Sequence, residues 1–204
     1  MSFIVAIDGT AGSGKGTVAK LIAEKFDLCN IDTVATYRCL ALAVLKNEVK
    51  IDNKNEIIKI LENINIDIKG TNSNPIFLLN GNDVSNEIRT KEVTEIVAQI
   101  SAIPEVRIKL VNLQRKLAQN KNVILDGRDI GTYVFPNADV KIYLDASVEK
   151  RAERRFEENK EKGINTSFEE VLENIKMRDK QDKEKEIGAL KIADDAIIID
   201  TTNL

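Results

Sequence analysis

Residues 3–26 read FIVAIDGTAGSGKGTVAKLIAEKF. The apolar run at 3–8 has the composition of a buried strand, while residues 15–26 place Val18, Leu21, Ile22 and Phe26 at helical spacing. Between them, GTAGSGKGT supplies what a phosphate-binding loop requires. Gly9, Gly12 and Gly14 let backbone N–H groups converge on an anion, the helix N-terminus adds partial positive charge, and Lys15 carries a point charge to the terminal phosphates. Gly9, Thr10, Ala11, Gly12, Ser13, Gly14, Lys15, Gly16 and Thr17 therefore read as a nucleoside triphosphate site. The spacing is G-x-x-x-x-G-K, then Gly16, then Thr17, so the hydroxyl arrives one residue later than in the strict Walker pattern.

A chain of 204 residues with 43% hydrophobic and 31% charged residues is globular and long enough for one full core. Its formal charge of -3 gives no global attraction for a polyanion, so no nucleic-acid partner is expected. No apolar run is long enough to span a bilayer, and MSFIVAIDG lacks the basic flank of a secretory signal, which points to the cytoplasm and to no membrane partner. Cys29 and Cys39 lack metal-ligand spacing and read as reduced thiols. Histidine is absent, which excludes an imidazole base and a histidine-bearing zinc site. A monomer is the default expectation.

Strand-like runs recur at 3–8, 122–126 (NVILD), 140–145 (VKIYLD) and 196–200 (AIIID), separated by helical patterns. Such alternation argues for a parallel sheet covered on both faces. Several of these runs end in Asp, and ligands of open α/β sheets sit at the carboxyl ends of strands. Between 63 and 93 the pattern changes to short strands joined by turns at 70–75 and 80–83, which reads as an inserted β-containing subdomain. Two helices follow, the second starting at Pro104 with Val106, Leu110, Leu113 and Leu117 on its apolar stripe. The run EKRAERRFEENKEK at 149–162 reads as a solvated helix with Ser147 as N-cap and Gly163 as stop. As a lid, it would bring Arg151, Arg154 and Arg155 over ATP. Ser167 and Glu170 have capping-box spacing and open a further helix carrying Phe168, Val171, Leu172 and Ile175 toward the polar run at 177–186.

NVILD ending at Asp126 is Walker-B-like, an apolar strand closing on an acid suited to hold water around Mg2+. Gly127, Arg128 and Asp129 follow, and an arginine at a strand's carboxyl end is a natural clamp on phosphates. With these residues in hand, the chain resembles the bacterial cytidylate kinases, a family of nucleoside monophosphate kinases. The matching stretches are GTAGSGKGT, DTVATYR (32–38), LNGNDVSNEIRTKEV (79–93), AIPEVR (102–107), DGRDIGTYVFPNADVKIYLDAS (126–147) and RDKQD (178–182), with DDAIIIDTT after it. They occur in order over essentially the whole chain.

The resemblance implies a P-loop NTPase fold of the α/β class, a parallel sheet flanked by helices, with a small β-containing monophosphate-binding insert and a helical lid. Its parts would be a core at 1–62, 94–146 and 166–204, the insert at 63–93 and the lid at 147–165. It implies Mg2+-dependent transfer of the ATP γ-phosphoryl group to CMP or dCMP, giving ADP and CDP or dCDP. Lys15, Arg128 and Arg178 would be catalytic, and Arg154 would join the phosphate loop in binding ATP. The residues for CMP would be Asp32, Tyr37, Arg38, Arg107, Arg128, Asp129, Asp182 and Lys185. Among them Arg38, Arg128 and Arg178 would hold phosphates, Tyr37 would line the monophosphate pocket, Asp182 would meet the ribose, and Arg107 and Asp129 would read cytosine. Thr17 and Asp126 would hold Mg2+, partly through water. Each also has an ordinary reading as a surface ion pair.

The chain departs from the family at Val34 in place of glycine, Ala98 in place of a cytosine-contacting serine and Lys185 in place of arginine, and it stops at Leu204, ahead of the family's last helix. A β-branched residue takes a positive φ only at a cost and holds a ligand further off. Ser101 shares a helical face with Ala98, and a bond to a carbonyl of its own helix is its expected use. The alternatives are another P-loop kinase, acting on adenylate or shikimate, a GTPase-type switch suggested by NKNE at 53–56, and a degenerate nucleotide-binding protein. Retention of Lys15, Arg38, Arg128 and Asp129 argues against the last.

Overall fold

In the computed structural model, which describes residues 2–71, 74–161 and 163–204, β1 (Ile4–Gly9) is buried at five of its six positions. Such a strand is mainly apolar, because helices cover both faces of a parallel sheet, and Asp8 is its one buried charge. The chain then runs through α1 (Lys15–Phe26), β2 (Cys29–Asp32), α2 (Thr33–Lys46), α3 (Lys54–Asn63), β3 (Ile66–Thr71), β4 (Asn74–Leu79) and β5 (Asn82–Asp83). A 3-10 turn (Glu87–Arg89), α4 (Lys91–Ser101), α5 (Pro104–Leu117), β6 (Val123–Asp126) and a π-helical turn (Ile130–Val134) follow. β7 (Val140–Asp145), α6 (Val148–Glu161), α7 (Phe168–Glu184) and β8 (Ile197–Asp200) complete it. The strands form a five-stranded sheet in the order β2-β6-β1-β7-β8 and a three-stranded sheet in the order β3-β4-β5. The α/β class with a parallel sheet flanked by helices is as the sequence implies. The chain divides into two compact units, Met1–Phe3 with Lys20–Leu125, and Ile4–Ala19 with Asp126–Leu204.

The first unit packs α2, α3, α4 and α5 with β3 and β4 around Leu40, Val44, Ile57, Phe77, Ile88, Ile100 and Leu110. α2 is the most deeply buried of these helices, and Asp32 caps it by accepting from the Ala35 N–H at 3.0 Å. Within α2, burial and then the charge of Asp32 push the Cys39 thiol up to about 12. β3 and β4 pair antiparallel from Ile66 opposite Leu79, and β4 turns into β5 through Asn80 and Gly81, both at positive φ (51° and 85°). An Asn-Gly pair in that conformation matches the twist of a two-residue hairpin. The turn expected at 70–75 includes Asn72 and Ser73, which lie outside the described residues. β2 escapes the apolar pattern, since CNID is half polar; its Cys29 N–H donates to the Asn122 carbonyl at 2.8 Å.

In the second unit β7 runs parallel to β1, with Ile7 opposite Ile142, and to β8, with Ile142 opposite Ile197. α6 and α7 pack through Ala152, Val171 and Ile175, with Phe156 edge-on to Phe168 at 6.2 Å. The capping box at Ser167 and Glu170 forms as expected, and α7 carries the polar run in helical form as far as Glu184. Ser147 accepts from the Lys150 N–H at 3.2 Å at the start of α6, and Gly163, at φ 69°, follows its end. Among the described residues, no helix is long and apolar enough to cross a membrane.

Phe77 is fully buried. Phe77→Ala should lower the unfolding free energy by about 3–5 kcal/mol, as transfer and cavity costs add. A loss below about 1 kcal/mol in urea unfolding would remove this cluster as the core of the first unit.

Candidate active site

The turn from β1 into α1 is set by backbone crowding. A Cβ on Gly9 would stand 2.0 Å from the Leu144 carbonyl oxygen, so β7 admits only glycine there. The carbonyls of the loop are then taken up, one by the loop itself and three from outside it. Thr10 O accepts from Lys15 Nζ and from Ser13 Oγ (3.0 Å), and Ala11 O accepts from Arg151 Nη1 (3.2 Å). Gly12 O accepts from Arg154 Nη1 (3.3 Å), and Ser13 O from Thr201 Oγ1 (3.1 Å). A planar trans peptide points its N–H opposite its carbonyl, so holding the Ala11 and Ser13 carbonyls turns the Gly12 and Gly14 N–H groups the other way. That is the polarity of an anion-binding concavity.

Lys15 is only 5% exposed. Burial holds its amine well below the usual lysine range, the charges of Arg128 and Arg178 push it the same way, and Asp126 and Asp8 oppose them. Two of the cations expected to be catalytic, Arg128 and Arg178, therefore lie within electrostatic reach of the third, Lys15. Such a cluster is costly without a multivalent anion to neutralise it. Asp126 Oδ2 lies 4.0 Å from where a Cβ on Gly16 would be, beside the first turn of α1 and Thr17.

Arg128 Nε donates to Asp182 Oδ2 at 2.8 Å, and Lys185 Nζ donates to Asp182 Oδ1 at 2.8 Å. Burial alone would raise the Asp182 carboxyl; the charges of Arg128 and Lys185 and their hydrogen bonds overcome it and hold the group at about 2. Sequence reasoning foresaw each of these residues but not that they bond one another. Among the arginines of α6, Arg154 also reaches Thr201 and the Leu204 carbonyl, and Arg155 pairs with Glu158 at 2.8 Å. Arg151 is 4% exposed and holds Ala146 O at 2.9 Å and both oxygens of Asp179 at 3.1 and 2.7 Å, in addition to Ala11 O. It braces the loop from beneath.

In the first unit, the Arg107 guanidinium lies 5.6 Å from the centroid of the Tyr37 ring, both side chains being buried. Arg38 Nη1 donates to the Ile88 carbonyl and to Thr94 Oγ1, each at 2.9 Å. Val34 is the second residue of α2 and does not have a positive φ, so its β-branch costs no backbone strain; the glycine conformation weighed for this position is not used. Ser101 Oγ donates to the Ala98 carbonyl at 3.0 Å, the intrahelical bond expected of it. Gln114, fully buried two turns from Arg107 on α5, donates to Thr36 Oγ1 at 2.9 Å and steadies the first turn of α2. The sequence signal for it was an amide next to the apolar stripe, four residues after Leu110.

Because the Asp182 carboxyl is depressed on folding, its stabilisation is full above about pH 4 and is lost as pH falls toward 2, amounting to roughly 2 kcal/mol from the size of the shift. Asp182→Asn should lower Tm at pH 7 and flatten the acid limb of the stability profile. An unchanged acid limb would assign that limb to other carboxylates.

Comparison with known proteins identifies the family. The family model described as cytidylate kinase matches residues 5–204. A cytidylate kinase of Fusobacterium nucleatum is 53% identical over 203 residues, spanning 100% of this chain and 91% of that protein. Cytidylate kinases of Caldicellulosiruptor saccharolyticus and of a Geobacillus species are each 47% identical over 200 residues, spanning 98% of this chain and 88% and 89% of theirs. A family-model match over residues 5–204, with relatives about half identical along the whole chain, leaves one conclusion: the chain belongs to the cytidylate kinase family.

Proposed function

We propose that this chain transfers the γ-phosphoryl group of ATP to CMP or dCMP, giving ADP and CDP or dCDP. The observation that carries the reading is the gathering of the buried Lys15 with Arg128 and Arg178 beside a loop whose Ala11, Gly12 and Ser13 carbonyls are tied away from its anion-binding side. An oxygen of the CMP phosphate attacks the γ-phosphorus, the new P–O bond forms, and the bond to the β–γ bridging oxygen breaks with its electron pair leaving on ADP. The acceptor phosphate is mostly dianionic near neutral pH, so no base has to take a proton, in keeping with a chain that has no histidine. What remains is in-line positioning and charge neutralisation by Lys15, Arg128 and Arg178.

Residues 9–17 and Arg154 hold ATP in this reading. Asp32, Tyr37, Arg38, Arg107, Arg128, Asp129, Asp182 and Lys185 serve CMP, with Arg107 and Asp129 on the base. An ionised Asp129 accepts from the exocyclic amine of cytosine, which uracil replaces with a carbonyl, so uracil would set acceptor against acceptor. One carboxylate and one hydroxyl, Asp126 and Thr17, suit Mg2+, which is commonly held by few protein groups together with phosphates and water. When bound, the ion neutralises charge on the β- and γ-phosphates. Residues 63–93 act as the monophosphate-binding insert and 147–165 as the lid of a core formed by the rest. The enzyme works as a cytoplasmic monomer.

A coupled assay with ATP and CMP, dCMP, UMP, AMP, GMP or shikimate tests the reading. CMP and dCMP should be preferred, and Lys15→Ala should abolish transfer while leaving the circular dichroism spectrum unchanged. Strong turnover of AMP or shikimate, or an active Lys15→Ala protein, would overturn it.

Because Ser101 already bonds its own helix, Ala98→Ser should tighten CMP binding by about 1 kcal/mol and Ser101→Ala should leave it unchanged. A large loss for Ser101→Ala in a CMP titration would show that the cytosine contact has moved along α4.

A further inference from the structure

Asp8 precedes the first glycine of the phosphate loop, is 5% exposed, and has no part in the scheme above. Its two oxygens accept from two successive backbone amides, the Ile130 N–H to Oδ1 at 2.7 Å and the Gly131 N–H to Oδ2 at 2.7 Å. These amides open the π-helical turn Ile130–Val134, where no carbonyl of the turn itself is available to them. On its other side the turn is tied to Asp129, whose carbonyl accepts from the Tyr133 N–H at 2.8 Å and the Val134 N–H at 3.0 Å. The fit is close. A Cβ on Gly131 would stand 3.1 Å from Lys141 Cδ and 3.3 Å from Asp8 Oδ2. π-turns are rare and concentrate at functional sites, and this one directly follows Gly127, Arg128 and Asp129.

We propose that Asp8 is a positioning residue for phosphoryl transfer: by clasping the Ile130 and Gly131 amides it fixes the segment bearing Arg128 and Asp129 to the strand that launches the phosphate loop. The inference rests on the proposed function, which gives Arg128 and Asp129 to the acceptor nucleotide. Only an ionised carboxylate can perform the clasp. A protonated oxygen would present a donor to an N–H, and an asparagine would turn its NH2 toward one of the two amides. The charge is held at a cost, since burial raises the carboxyl to about 6 even though the Gly131 and Ile130 amides pull it down. Of the other charges facing it, Asp129 raises it further and Lys15 lowers it. The Tyr143 hydroxyl also feels Asp8, after its own burial and the charges of Asp145 and Asp179. Lys141 faces the clasp with its methylenes, its ammonium being paired with Asp195 at 2.8 Å. A carboxylate retained as an ion under these conditions serves something that a neutral side chain of the same size would not.

The full chain tests this in two ways. In 15N-labelled protein the Ile130 and Gly131 amide resonances should move together between pH 7.5 and 5 with one midpoint near 6, absent in Asp8→Asn and displaced downward but retained in Asp129→Asn. In the coupled assay Asp8→Asn should lose at least about tenfold in kcat with CMP, while its Kd for ADP, titrated without turnover, stays within about twofold of the parent. Gly131→Ala, which crowds the clasp from its other side, should show the same split. A kcat within about twofold of the parent in both variants would overturn the proposal. So would ADP affinity that falls in step with kcat, or parent amides that show no shared titration at any pH down to acid unfolding; the parent measurement holds even where a variant fails to fold. A parent that leaves CMP unphosphorylated overturns the transfer role together with the proposed function, and the amide titration then still decides whether the clasp exists.

Discussion

A guanidinium out of contact with water organises the nucleotide-binding half of this chain. Removing the charge of Arg151 from solvent costs several kcal/mol, and the cost is met because all three of its nitrogens have acceptors: the Ala11 and Ala146 carbonyls and both oxygens of Asp179. The side chain thereby fastens the phosphate loop, the end of β7, α6 and α7 at one point. Loss of one partner would strand a buried charge, which typically costs about 3–5 kcal/mol. Lysine in its place would offer a point charge to a site shaped for a planar fork. The loop's glycines give it freedom of conformation, and Arg151 with Arg154 and Thr201 selects among the conformations.

The same unit brings cations and carboxylates together around Lys15 and Asp182. Asp182 answers Arg128 and Lys185, and Asp126 and Asp8 temper Lys15, yet Lys15 remains depressed by its surroundings. Burial outweighs those two carboxylates in setting the charge of the Lys15 amine. A nucleotide bound by the folded chain alone would add to its stability.

The phosphate loop was legible in the sequence because its physics is local: glycines where φ must be positive, a lysine at fixed offset, an apolar strand before and an amphipathic helix after. The capping box at Ser167 and the Asn80-Gly81 hairpin were legible for the same reason. β2 was not, since CNID becomes a strand through its place in the sheet and not through its own pattern. Arg151 looked like one more charge on a solvated helix, because spacing along α6 cannot tell which of three arginines faces a carbonyl of a distant loop. Gln114 was hidden likewise, its partners Thr33 and Thr36 lying far away in the chain. At Val34 the substitution was visible and its backbone consequence was not, because helical φ there is set by the Asp32 cap.

The burial of Cys39 has a chemical consequence. The thiolate is the species that reacts with electrophiles and oxidants, and a thiol pushed to about 12 by burial and by Asp32 supplies almost none of it near neutral pH. Cys29, half-buried at the start of β2, is the other cysteine of the chain. Thiol-selective alkylating agents therefore meet a protein with one addressable thiol, and a single maleimide dye would report from the edge of the sheet while the helix that Asp32 caps stays unmodified.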